Sequence, residues 1–301
     1  MIESYETFKG IFPALLTPFD KKGRIDKDAL EALIRCNIEK GVAGFYVCGS
    51  TAEAFLLTKD EREELYRLCA AYARGKVALI GHVGDLSVET MTGYARLCES
   101  LGYDAVSAVT PFYYKYTDEQ ITAYYRTLAD AANLPVLIYH IPARSGVTLG
   151  LDAFDALLSD KRFLGVKFTS SDYFTFERLR ERYPDKILYN GYDEMCLCGL
   201  AMGADGAIGS TYNLMAEKFI DIFRLAGEND FVSARKLQHE ANDVIACMLE
   251  AGNVIAAVKY AVTSQMGIPM GVCRAPGGGV SEEWAQAFDA RFGGSFKTWH
   301  A

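Results

Sequence analysis

Eight short apolar runs, each followed by polar and apolar residues at helical spacing, restrict the fold of this 301-residue chain more than any other feature. The runs fall at 11–17, 44–48, 77–81, 105–108, 136–140, 163–168, 187–190 and 206–208. They are continuous rather than alternating, the pattern of strands buried on both faces. Helical periodicity occupies 27–40, 59–73, 87–101, 118–132, 151–158 and 172–183 between them. Start signals agree: Asp26 and Ser87 precede apolar patterns, Thr58 stands three residues before Glu61, and Thr117 three before Gln120. Eight strand-then-helix units in series predict an α/β protein, a parallel (β/α)8 TIM barrel. An open doubly wound sheet would offer fewer strands and a Gly-rich phosphate turn after the first, where this chain has Pro18-Phe19-Asp20. From 216 onward the alternation gives way to helical segments at 216–226, 230–251, 253–265 and near 281–292. The expected division is a catalytic barrel over 1–215 and a helical C-terminal extension over 216–301. Pro269, Pro276 and the run Gly277-Gly278-Gly279 mark a loop rather than a phosphate site, because no suitable helix start follows.

A hydrophobic share of 50% over this length can supply a large core. A formal net charge of −8 argues against nucleic acid or an anionic membrane as partner, since both need clustered positive charge. Residues 1–6 lack the basic start and apolar core of a leader, and no run is long enough to span a bilayer, so a cytoplasmic protein is expected. The eight cysteines are scattered through apolar segments, as reduced, buried thiols are. Cys196-Leu197-Cys198 lacks the second ligand pair of a zinc site, and no metal site is expected.

Catalytic residues of such barrels lie at the carboxyl ends of the strands. The sixth run ends in Gly165-Val166-Lys167-Phe168-Thr169. A lysine held in apolar surroundings loses hydration of its charged form, so more of it is the neutral amine that attacks carbonyls. Its alternative is a lysine whose stem packs while its ammonium reaches solvent. Gly49-Ser50-Thr51 at the second strand offers hydroxyls and free backbone N–H groups for a carboxylate, or else an ordinary helix cap. Tyr139, ending the neighbouring strand, could shuttle protons beside the amine, or simply be a buried, hydrogen-bonded tyrosine. Asp193 and Glu194 suit hydrogen bonding to a polyol better than metal ligation, with helix-start charges as the plain alternative. His140 is expected to pack, not to act as a base. One lysine, one tyrosine, a carboxylate cradle and a polyol rim at one barrel mouth describe an enzyme acting on 2-keto acids.

The chain also resembles a known family at these residues. Gly49-Ser50-Thr51-Ala52-Glu53-Ala54-Phe55, Val109-Thr110-Pro111-Phe112-Tyr113-Tyr114, Gly165-Val166-Lys167-Phe168-Thr169, Tyr189-Asn190-Gly191-Tyr192-Asp193-Glu194 and Gly209-Ser210-Thr211-Tyr212-Asn213 look like the N-acetylneuraminate lyases. The similarity runs from about 10 to 274. These lyases and the dihydrodipicolinate synthases form one superfamily of class I, pyruvate-dependent aldolases, sharing the barrel, the helical extension and commonly a homotetramer. The lysine motif identifies the superfamily, and the segments at 191–194 and 210–213 point to the lyase branch. The resemblance implies Lys167 as Schiff-base nucleophile, Tyr139 as its acid/base partner and Tyr113 as an aid to the proton relay, reaching in from a neighbouring subunit. Ser50 and Thr51 would hold the carboxylate of the pyruvate portion. Thr169, Gly191, Asp193, Glu194 and Ser210 would contact the hydroxyl-bearing tail of a sialic acid. No cofactor is implied.

Two positions depart from that pattern. Ala52 stands where the family commonly has glycine, which matters only if that position needs positive φ. Arg144, in Pro142-Ala143-Arg144-Ser145-Gly146, stands where the lyases are apolar and the synthases carry a carboxylate-binding arginine. Arg144 is therefore expected either to contact an anionic group at the pocket mouth or to pair with a surface acid. It is the best support for another aldolase or synthase of the superfamily, acting on a different 2-keto-3-deoxy sugar acid or on pyruvate plus an aldehyde. A non-catalytic keto-acid-binding barrel is the remaining alternative, and the presence of both Lys167 and Tyr139 argues against it.

Overall fold

The continuous apolar runs become strands because both of their faces are covered. The computed structural model describes residues 5–296; residues 1–4, part of the segment read above for a leader, and 297–301 lie outside the described residues. The strands are β1 (Gly10–Pro13), β2 (Gly44–Val47), β3 (Ala78–His82), β4 (Ala105–Val109), β5 (Val136–His140), β6 (Phe163–Phe168), β7 (Ile187–Asn190) and β8 (Gly206–Gly209). Every residue in them is buried. They form one parallel sheet in the order β1-β8-β7-β6-β5-β4-β3-β2. The Ala43 N–H donates to the Ile11 carbonyl and the Leu15 N–H to the Tyr46 carbonyl, both at 3.0 Å, which ties β2 to β1 and closes the ring. Closure removes both sheet edges. The chain is a (β/α)8 TIM barrel with further helices at its C-terminal end.

The helices are α1 (Lys27–Glu39), α2 (Lys59–Ala73), α3 (Val88–Leu101), α4 (Asp118–Ala131), the single turn α5 (Pro142–Ser145), α6 (Leu151–Leu158), α7 (Tyr173–Arg182), α8 (Cys196–Ala201), α9 (Tyr212–Gly227), α10 (Phe231–Glu250), α11 (Val254–Met266) and α12 (Glu282–Phe292). The caps read from the sequence are made: Asp26 accepts the Ala29 N–H, Ser87 accepts the Thr90 N–H, and Thr58 with Glu61 and Thr117 with Gln120 form complete capping boxes. The helix after β8 starts at Tyr212, not at 216. A kink at Met215 (φ −114°, ψ 31°) hides its first turn from the periodicity, and its start is held by a distant carboxylate, Asp193, which accepts the Thr211 N–H at 2.8 Å. Side chains divide into two cores. Phe12, Tyr46, Ile80, Leu137, Tyr189 and Ile208 point into the barrel, while Phe45, Val106, Ile138 and Leu188 face the surrounding helices. All eight cysteines are unpaired thiols, seven of them buried. Among the described residues no single helix is long and apolar enough to cross a membrane.

The C-terminal helices are locked to the mouth of the barrel by charge. Lys259 on α11 donates to Glu53 Oε1 at 2.5 Å, with both side chains at least nine-tenths buried, and the Arg274 N–H donates to Glu53 Oε2 at 2.7 Å. The Arg274 guanidinium then forks onto both oxygens of Glu61. Removing one member of a buried pair strands the other charge, a loss on the order of 3 kcal/mol. Lys259→Met should lower the unfolding free energy by about that amount in a urea titration, and adding Glu53→Gln should restore more than half of it. An unchanged midpoint for Lys259→Met would show that the pair is not stabilising.

Candidate active site

Strict alternation along β6 would turn Lys167 away from the barrel axis. Phe163 faces the helices and Leu164 the interior, so a regular strand would next point 166 and 168 inward. The pairing with β5 shows the correction: Val136 lies opposite Phe163 but Leu137 lies opposite Gly165, leaving Leu164 as an extra residue. This bulge re-phases the strand, and Lys167 faces inward beside Tyr139. Gly165 sits at φ +156°, and a Cβ there would stand 1.7 Å from the Ile187 carbonyl oxygen.

Lys167 is 4% exposed. Its Nζ lies 4.0 Å from the ring centroid of Tyr139 and 4.3 Å from that of Tyr46. Burial pulls its pKa below the ordinary lysine value, and the Tyr139 phenol opposes that shift. Tyr46, on β2, was not among the residues expected from the sequence. Its ring is fixed by its hydroxyl, 3.0 Å from Ser107 Oγ; that serine donates onward to the Leu137 carbonyl, so Tyr46 is the donor of the pair. The available signal was phase: Tyr46 is the inward residue of its strand, as Lys167 and Tyr139 are of theirs.

Across the mouth, Ser50–Ala52 forms a single 3-10 turn after Gly49, where a Cβ would press on the Tyr46 ring at 2.7 Å. Thr51 Oγ1 and Ser210 Oγ are hydrogen-bonded at 2.6 Å, joining the loops after β2 and β8. Ala52 has no positive φ; the left-handed residues are its neighbours Cys48 (φ 58°) and Glu53 (φ 59°), so the alanine is accommodated.

Thr169 is 4% exposed and its Oγ1 has no hydrogen-bond partner. A Cβ at Gly191 would lie 1.9 Å from that oxygen, so the glycine leaves it room. Asp193 Oδ2 accepts both the N–H and the hydroxyl of Thr211, at 2.8 and 2.6 Å. Burial outweighs these bonds and pushes its carboxyl up to about 6. Glu194 is exposed, as is Arg144 on α5. No ion pair or hydrogen bond holds the Arg144 guanidinium among the described residues.

Every expected site residue except Tyr113 lines one cavity of about 200 Å³: Lys167, Tyr139, Ser50, Thr51, Thr169, Gly191, Asp193, Glu194, Ser210 and Arg144. Ile245, Leu249, Val254 and Ile255 of α10 and α11 complete its wall. A wider depression of about 460 Å³ adjoins it through Ser50, Ile141, Arg144 and Ile255 and is lined further by Phe55 and Phe112. Tyr113 is 83% exposed at φ 79° and packs against Tyr114, outside the cavity of its own chain. His140 packs against Phe168 in a tilted contact and against Phe154 edge-on, and burial takes its pKa down to about 4. His82 accepts the Val109 N–H at Nε2 and therefore carries its proton on Nδ1, toward the Cys48 carbonyl. It is a neutral spacer behind Tyr46 and Tyr139, its pKa lowered by burial to about 3.

The model of the dihydrodipicolinate synthetase family matches residues 7–292. N-acetylneuraminate lyase 2 of Escherichia coli O6:H1 is 42% identical over 92% of this chain and 90% of its own length. A Clostridium difficile protein, CdNal, solved in complex with mannosamine, superposes with a TM-score of 0.91 at 37% identity over 94% of this chain and 99% of that one. N-acetylneuraminate lyase from Fusobacterium nucleatum, solved with pyruvate, gives 0.89 at 35% identity over 95% and 98%. The barrel, the inward lysine and these likenesses lead to one assignment: the chain belongs to the dihydrodipicolinate synthetase family.

Proposed function

We propose that this protein is an N-acetylneuraminate lyase, a class I aldolase that cleaves N-acetylneuraminate to N-acetylmannosamine and pyruvate, as its relatives' names indicate. The observation that carries the proposal is the buried Lys167 amine, set against two tyrosine rings at the floor of the cavity. Burial favours its neutral, nucleophilic form. The amine adds to the C2 ketone of the open-chain sugar acid and loses water, giving an iminium that withdraws electrons from C3. A base takes the C4 hydroxyl proton, the C3–C4 bond breaks, and N-acetylmannosamine leaves. The enamine left on Lys167 is protonated at C3, and water releases pyruvate.

Tyr139, beside the amine, is the proton carrier of these steps. Ser50 and Thr51 receive the substrate carboxylate at the free N–H groups of their turn. Thr169, with its unpartnered hydroxyl, and Gly191, Asp193, Glu194 and Ser210 receive the hydroxylated tail. The exposure of Tyr113 is consistent with a homotetramer in which it serves a neighbouring copy's site, and the unpaired cysteines fit the reducing cytoplasm. The activity belongs to sialic acid catabolism.

One observation favours a second reading. The unpaired Arg144 on the rim suits a substrate with another anionic group, either a different 2-keto-3-deoxy sugar acid or, as in the synthase branch, an aldehyde that combines with pyruvate.

Borohydride reduction in the presence of pyruvate should fix the three-carbon unit on Lys167, read by mass spectrometry of the peptide; an unmodified lysine would remove the Schiff-base reading. Arg144→Leu should raise KM about tenfold for the keto acid that carries the extra anion, the value of a charge-assisted contact; unchanged KM across a keto-acid panel would make Arg144 a bystander. Asp193 loses its charge as pH falls through about 6. The KM for N-acetylneuraminate should therefore rise below that pH while the KM for pyruvate in C3 exchange stays level. A flat N-acetylneuraminate profile would exclude Asp193 from tail binding.

A further inference from the structure

The loop that carries Asp193 and Glu194 is held by α10, outside the barrel. Gln238 is 5% exposed, and its side-chain orientation is fixed by its partners: the Leu197 N–H can only donate, so Oε1 accepts it at 3.0 Å. Nε2 is thereby turned to the Asp193 carbonyl, at 3.1 Å, and to Asn242 Oδ1, at 2.8 Å. Asn242, one turn further along α10, donates to the Glu194 carbonyl at 3.1 Å. Two amides at i and i+4 on one helix face thus grip the loop after β7 at Asp193 and Glu194 and the first turn of α8 at Leu197. On its other side the same loop is bound through Asp193 Oδ2 to Thr211. The pyruvate end of the cavity, at Lys167 and Tyr139, receives no contact from either amide.

We infer that Gln238, with Asn242, is a positioning residue that sets the tail-binding loop and so determines how well the enzyme binds the polyol end of its substrate. This rests on the function proposed above. The two ends of the site differ in their supports: the reacting end is held by inward strand residues, whereas the loop carrying Asp193 and Glu194 is held by Thr211 on one side and by α10 on the other. A glutamate at 238 keeps the acceptor for Leu197 but replaces the donor with a negative oxygen facing a carbonyl, so the loop must move.

The test compares wild type, Gln238→Glu and Asn242→Ala by thermal melting, by pyruvate C3 deuterium exchange and by KM for N-acetylneuraminate. Exchange requires only the enamine, so wild type that fails to exchange would sink the proposed function, not this inference. The expected result is a KM raised about tenfold in Gln238→Glu, the effect of losing one buried donor, and about threefold in Asn242→Ala, with exchange within about twofold of wild type. If Gln238→Glu does not fold, Asn242→Ala decides alone. An unchanged KM, or exchange falling in parallel with it, would overturn the inference.

Discussion

The inward position of Lys167 depends on one extra residue in β6. A strand with strict two-residue periodicity that buries Leu164 in the barrel must aim Lys167 at the helices, where it could meet no substrate. The bulge at Leu164 and Gly165 shifts the phase by one, and only glycine can stand so close to the Ile187 carbonyl while holding that backbone conformation. Core packing below and an inward lysine above are thus both satisfied by the same strand. The cost is a glycine in the middle of a central strand, where ladder and packing are weakest.

Once aimed inward, the amine lies between aromatic faces. The rings of Tyr46 and Tyr139 offer their negative quadrupoles to a positive nitrogen, which tempers burial without fixing the charge as a salt bridge would. An amine in this setting can pass between ammonium and neutral forms without losing a dedicated counter-ion. The neutral His82 behind the two rings adds shape without adding charge.

Much of this was legible in the sequence. The eight strand positions, the capping boxes at Thr58 and Thr117, and the residues of the mouth followed from periodicity, local chemistry and family likeness, because each depends on neighbours a few positions away. What was hidden depends on distant partners. Tyr46 is defined by which face of β2 is inward. The start of α9 depends on Asp193, 18 residues earlier in the chain. The role of Gln238 depends on a loop 45 residues away from it. Of the two departures from the family pattern, Ala52 is explained by an ordinary φ, with the left-handed turns falling on its neighbours. Arg144 stands on the rim of the cavity with its guanidinium held by no acid among the described residues, which the sequence alone did not show.

Glu53 has a consequence for how the protein is made. It caps the Ser50–Ala52 turn early in the chain, yet its counter-ion arrives 206 residues later, on α11. During synthesis, a barrel complete through β8 would still carry this carboxylate without its cation and a cavity without the wall of α10 and α11. The last helices to leave the ribosome are therefore the ones that finish the mouth, and a chain stopped before α11 lacks both the cation for Glu53 and part of the cavity wall, although the strands that surround Lys167 are already made.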